Sequence, residues 1–257
     1  MNAPKIFIYS SREAVGSAVA RHVAKIISQR PRVVLGLPTG SSPIGIYKEI
    51  VRMYRAGDID FAGVTAFNLD EYYPMQPDAP QSYHRFMREH LFDHVNCTAF
   101  HVPDGKPRSG ERIVQDCSAY EELIGETGGI DFQILGIGRN GHIGFNEPGS
   151  RRDSVTRLLT LDPMTRTDAA QDFGGLQNVP QQAISMGIGT VMQSREIILV
   201  ASGPAKASVI RQAFLGPISS DVPATFLREH PNTQFWLDEA AASEIIGENG
   251  LEIERAG

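Results

Sequence analysis

The chain has 257 residues, with 30 acidic against 24 Lys and Arg side chains, a net charge of −6, seven His and two Cys. That length suits one large α/β domain or two small ones, either of which can bury its own core, and hydrophobic and charged shares of 41% and 21% exclude intrinsic disorder. The acidic surplus argues against a nucleic-acid or anionic-membrane surface, and Cys97 and Cys117 make no disulfide framework but fit a reducing compartment.

In chain order, the N-terminal MNAPKIFIYSSREA has no apolar h-region and predicts a first strand, Lys5–Tyr9, rather than a signal peptide. A helical period follows over residues 12–28, then a strand at Val33–Leu37, the turn-rich PTGSSP, and an amphipathic run from Ile44 to Tyr54. Further strand-like runs are expected at 64–69, 132–137, 155–161, 197–201 and 234–237, each flanked by a helix-like stretch. Continuous apolar strands separated by helices predict an α/β fold: one domain, a mostly parallel sheet, helices on both faces. No apolar run nears the roughly 20 residues of a membrane-spanning helix, and a cytoplasmic protein is expected. Residues 162–180 (DPMTRTDAAQDFGGLQNVP) are apolar-poor and read either as a surface excursion or as a mobile lid over a site.

Chemistry in parallel sheets gathers where strands end. After the strand in LGLPTGSSP, Thr39, Gly40, Ser41 and Ser42 precede a helix opened by Pro43, which makes either an anion cradle or a plain capped turn. FNLDEYY ends its strand at Asp70 and Glu71, a place for a general base or for two solvated carboxylates. LGIGRNGHIGFNEPG gathers glycines around Asn140, His142 and Glu147, with the glutamate near enough across a turn to orient or charge-stabilise the imidazole. Gly136, Gly138 and Gly141 in that segment also spell a dinucleotide fingerprint, but no helical period follows the third glycine, so nicotinamide binding is not expected. In VASGPAKAS, Lys206 enters the first turn of a helix, where a lysine opposes the helix dipole; it reads either as sharing an anion with the amides or as a solvent-exposed lysine. His90 and His94 stand four apart and could share a metal, but no Glu is placed as in HExxH and no third ligand is evident, so His84, His90 and His94 are expected at the surface.

In order and spacing, LGLPTGSSP, FNLDEYY, LGIGRNGHIGFNEPG and Gly203–Lys206 resemble the glucosamine-6-phosphate deaminase family over nearly the whole chain. The resemblance implies a Rossmann-like domain over residues 1–257 that needs no cofactor or metal. It also implies conversion of glucosamine 6-phosphate and water to fructose 6-phosphate and ammonia. His142 becomes the ring-opening acid/base supported by Glu147 and Asn140, and Asp70 the base for the C2 proton. Thr39, Gly40, Ser41, Ser42 and Lys206 become the phosphate ligands. Galactosamine 6-phosphate, lactone hydrolysis or a non-catalytic sugar-phosphate sensor are the alternatives, and a homo-oligomer is compatible with the family.

The sequence departs from the family pattern in three places. Asn140 stands where some members have aspartate. Gln171 or Asp172, before Phe173, stands where members often have a lid arginine, with Arg157 and Arg166 as candidate substitutes. Leu159 stands two positions after Arg157 where regulated members carry a basic residue, so activation by N-acetylglucosamine 6-phosphate is not expected.

Overall fold

The computed structural model describes residues 4–247 and 253–255. KIFIY forms β1 (Lys5–Tyr9), and Ser11 caps α1 (Arg12–Gln29) by accepting the Ala14 N–H at 3.1 Å. β2 (Val33–Leu37) is buried throughout and leads into α2 (Ile44–Ala56), which Gly57 closes in the left-handed region at φ 80°. β3 (Val64–Asn68) and β4 (Asp70–Tyr73) follow with one residue between them, then α3 (Tyr83–His90), β5 (Ala99–His101) and α4 (Gly110–Glu126). The next elements are β6 (Phe132–Leu135), β7 (Arg157–Thr160), α5 (Pro163–Ala169), β8 (Gln182–Ser185) and α6 (Ile188–Val191). The described chain ends with β9 (Glu196–Ala201), α7 (Ala207–Leu215), β10 (Thr233–Asp238) and β11 (Ile253–Arg255).

Eight strands form one sheet in the order β11-β1-β10-β9-β6-β2-β3-β5, and every neighbouring pair is parallel. From β2 the chain builds outward through β3 to β5, whereas from β6 it builds the other way through β9 to β10. The order therefore reverses between β2 and β6, and the region beyond the carboxyl ends of such a pair is where open α/β sheets bind ligands. The loops leaving those two strands are PTGSSP and the glycine-rich His142 segment.

Two buried clusters cover the sheet. One joins α1 and α2 residues (Val19, Val23, Tyr47, Ile50) to Leu35, Phe132 and Trp236; the other joins Tyr120, Ile188, Ile210 and Phe214 to Leu135, Leu199 and Phe235. Helices thus protect both faces, as continuous apolar strands require.

The sequence reading is corrected at one architectural point. Residues 155–161 are not a strand of the parallel sheet, and Asp70 does not simply end one. β4, β8 and β7 form a separate three-stranded antiparallel sheet, with Asp70 and Arg157 both opposite Ser185. Strands of four residues with mixed side chains carry little periodic signal, and the β4–β8 pairing joins segments more than a hundred positions apart. The small sheet has its own buried cluster, Tyr72, Met75, Phe145, Leu161, Val179 and Ala183.

Candidate active site

The β2–α2 loop is open and its helix start is uncapped. Gly40 takes φ 87°, a left-handed conformation suited to glycine, and a Cβ built there meets nothing within 4 Å. No side chain caps α2, so Ser42 is not the N-cap of a plain capped turn and the first helical amides stay available to an anion. Thr39 points its hydroxyl at Asp70 Oδ1 across 3.5 Å, and the Gly136 backbone of the opposite loop lies beside Ser42.

Asp70 and Glu71 are not solvated turn residues; they are 5% and 2% exposed. Burial, reinforced by the charge of Glu71, pushes the Asp70 carboxyl up to about 8, and the Thr39 hydroxyl only partly opposes this. Glu71 serves the scaffold. It accepts the N–H groups of Tyr83 and His84 at 3.0 and 3.1 Å and the Ser82 hydroxyl at 2.7 Å, so that its carboxylate lies at the start of α3. Burial still raises its pKa against those bonds.

The glycine-rich loop builds a compact hydrogen-bonded unit. The His142 N–H donates to Asn140 Oδ1 at 3.2 Å, and Asn140 Nδ2 donates to Glu147 Oε2 at 2.8 Å. The same Glu147 oxygen lies 3.2 Å from His142 Nδ1. A carboxylate there selects the Nδ1–H tautomer and leaves Nε2 free. Burial acts to raise the Glu147 carboxyl, but the bonds from His142, Asn140 and Thr165 and the charge of His142 hold it below the ordinary range. Gly138 is required under the imidazole, because a Cβ there would stand 2.3 Å from the ring. At Gly144, φ is 56° and an added Cβ would lie 3.3 Å from Asp70 Oδ2. The loop that carries His142 therefore rests against the buried carboxylate. No helix opens after Gly141; the segment turns back through an Ile143–Asn146 bridge, unlike a dinucleotide-binding turn.

Lys206 ends a 3-10 turn, Pro204–Lys206, directly before α7, rather than lying inside the helix. The turn is fixed by Asp238, whose carboxylate accepts the Gly203 N–H at 2.9 and 3.0 Å. Lys206 Nζ donates to the Ile137 carbonyl at 2.7 Å, which reaches from β9's loop into the loop after β6. Burial lowers its proton affinity, and Asp168 partly restores it.

Residues 162–180 contain α5 and a 3-10 turn, Leu176–Asn178, packed by Phe173 on Tyr72 with ring centroids 4.9 Å apart. The segment is tied to the His142 unit in three ways. The Asp162 N–H donates to Glu147 Oε1 at 3.2 Å, Thr165 Oγ1 lies 3.2 Å from His142 Nδ1, and Asp168 pairs with Arg139. Sequence reasoning missed Thr165, since one threonine in an apolar-poor stretch has no motif to mark it. Neither suggested lid-arginine substitute is free: Arg166 caps the carbonyls of Leu176 and Val179, and Arg157 is bonded to Asn146 and Ser150.

The remaining candidates do not join the site. His94 bonds the Glu89 carbonyl and His90 lies against the Phe86 ring. Both cysteines are free and buried, and burial pushes their thiols up to about 11. No described helix is long and apolar enough to cross a membrane.

The profile of the family described as glucosamine-6-phosphate isomerases/6-phosphogluconolactonase matches residues 10–236. The chain belongs to this family. Among its relatives, the glucosamine-6-phosphate deaminase of Thermoanaerobacter pseudethanolicus is 44% identical over 97% of this chain and 98% of its own. Glucosamine-6-phosphate deaminase 2 of Bacillus subtilis is 45% identical over 94% and 97%. A solved monomeric glucosamine-6-phosphate deaminase superposes with a TM-score of 0.90 at 38% identity, over 93% of this chain and 99% of that one. The 6-phosphogluconolactonase of Trypanosoma cruzi, at 20% identity and TM-score 0.75, shares the fold.

Proposed function

We propose that the chain is a glucosamine-6-phosphate deaminase that converts glucosamine 6-phosphate and water to fructose 6-phosphate and ammonia without a cofactor. The observation that carries this reading is a buried carboxylate, Asp70, lifted to about 8 and pressed against the loop of a carboxylate-oriented imidazole, His142. At that value Asp70 is a far stronger base than an ordinary carboxylate, as removal of a proton from carbon demands.

The substrate phosphate sits on the amides and hydroxyls of Thr39–Ser42 and on the ammonium of Lys206. His142 moves a proton between the O1 hydroxyl and the ring oxygen through Nε2, breaking the C1–O5 bond and opening the ring. Glu147 orients the imidazole and stabilises its charged form, while Asn140 holds the Glu147 carboxylate and the His142 backbone in place. Asp70 then takes the C2 proton; the C–H electron pair becomes the C1–C2 double bond as the C1 oxygen gains a proton. Protonation at C1 leaves a C2 imine. Water adds to that carbon and ammonia departs, leaving the ketone.

Residues 1–257 act as one catalytic domain, with residues 162–180 as its lid; the ties of that segment to His142 and Glu147 support a closing role. The monomeric solved relative favours a monomer over the homo-oligomer that the sequence leaves open. A cytoplasmic location belongs to the same reading.

The test is ammonia release from glucosamine 6-phosphate and from galactosamine 6-phosphate, incubated separately with the protein. Release from the first is expected. Release only from the second moves the substrate to the epimer, and release from neither overturns the enzyme reading in favour of a sugar-phosphate sensor.

A further inference from the structure

A sugar phosphate near neutral pH carries close to two negative charges, and a cradle of amides and hydroxyls with one lysine supplies one full positive charge. The cations around the cradle can be taken in turn. Lys206 is bound to the Ile137 carbonyl and keeps two ammonium hydrogens for a ligand. Arg139 is committed to Asp168 through both its Nε and a terminal nitrogen. Arg157 and Arg166 are held by their own partners, as described above.

Arg12 differs. It opens α1 with an exposed side chain and lines a single cleft with Ser42, Gly45, Ile46 and Ser202. Its presence there follows from how closely α1 and α2 approach. Gly16 is buried, and a Cβ on it would meet the Gly45 carbonyl carbon at 3.3 Å, so the absent side chain lets α1 lie against the first turn of α2. Arg12 stands one helical turn before Gly16. It is thereby delivered to the uncapped start of α2 although β1 and β2 are separated by three strands in the sheet. Electrostatics agree with this placement: Arg12, like Arg139, acts to lower the proton affinity of Lys206.

We propose that Arg12 is a second cationic ligand of the substrate phosphate, reaching the Gly40–Ser42 cradle from the start of α1 while Lys206 reaches it from the start of α7. A guanidinium is suited to the task, because its planar fork bonds two phosphate oxygens at once. The proposal rests on the assignment of that loop as the phosphate cradle.

Arg12→Ala and Arg12→Lys are compared with the wild type in two assays: initial rates of ammonia release from glucosamine 6-phosphate, and calorimetric titration with inorganic phosphate. For Arg12→Ala, KM and the phosphate Kd should both rise by about 10- to 100-fold, the loss of a charge-assisted bond, with kcat within about threefold. Arg12→Lys should recover part of both. KM and Kd within about twofold of wild type overturn the proposal, as does a fall in kcat at unchanged KM. A wild type that binds no phosphate overturns it together with the cradle. A wild type that binds phosphate but releases no ammonia counts against the deaminase reading alone, and the titration still decides Arg12. Arg12 is exposed, so neither variant removes buried packing; matching circular dichroism and melting curves check that both fold.

Discussion

Glu147 is the residue on which the His142 arrangement turns. One of its oxygens receives both Asn140 and the imidazole, and the other receives the Asp162 N–H at the start of the segment 162–180. An amide in its place keeps the size but removes the charge and sets an NH2 group against one of those donors. Glu147→Gln should therefore lower kcat on the closed-ring substrate by about 100-fold, within the range general acid–base catalysis supplies, while the fold persists. Near-normal kcat in steady-state assays would remove Glu147 from its role. This residue and His142 were legible from spacing alone, because a five-residue separation across a glycine-rich turn leaves few geometries. The elevated pKa of Asp70 was not, since it arises from burial beneath Gly144 and from the charge of Glu71.

Among the elements, α1 and α2 show how backbone proximity positions chemistry. The second turn of α1 meets the first turn of α2 at Gly16 and Gly45, where the two backbones come within van der Waals contact of any added side chain. Gly16→Val places two methyl groups beyond a Cβ that is already tight, so α1 must shift from α2. A loss of about 1–3 kcal/mol is expected, the usual cost of overpacking a close contact. In a domain of this size that lowers Tm by roughly 2–4 °C per kcal/mol, which calorimetry or a fluorescence melt would read, and an unchanged Tm would show the contact to be slack. The helices themselves were visible as periodic patterns. Their crossing was not, because a lone glycine inside a helical pattern says nothing of what lies against it.

For the molecule as a whole, the buried Asp70 has a thermodynamic consequence. Its carboxyl sits near 8 in the folded protein and near 4 in the unfolded chain, so the folded state holds the proton more tightly. That contribution to stability is complete below the unfolded value and is lost as pH rises to the folded one. Asp70→Asn removes the titration, and the neutral amide should melt increasingly above the wild type as pH increases. Between pH 5 and 8.5 the gap should widen by roughly 4 °C or more, while activity is lost. A gap independent of pH would mean that Asp70 is ionised throughout. The same trade of stability for a reactive group is common where catalytic carboxylates are buried.

What the sequence determined alone was local. Continuous apolar runs set the parallel strands, helical periods set the covering layers, and the glycine-rich, Ser- and Lys-bearing turns marked three strand ends where chemistry belongs. These signals depend on residues a few positions apart, whose backbone geometry is constrained by their own side chains. The tertiary structure decided what depends on pairing across the chain. It assigned β4, β7 and β8 to a second, antiparallel sheet, brought Thr165 of α5 to His142, buried Asp70 under Gly144, and carried Arg12 to Ser42. Each of these joins segments tens to hundreds of residues apart through the shared demand to bury apolar surface and satisfy polar groups, and no local pattern encodes where such partners meet.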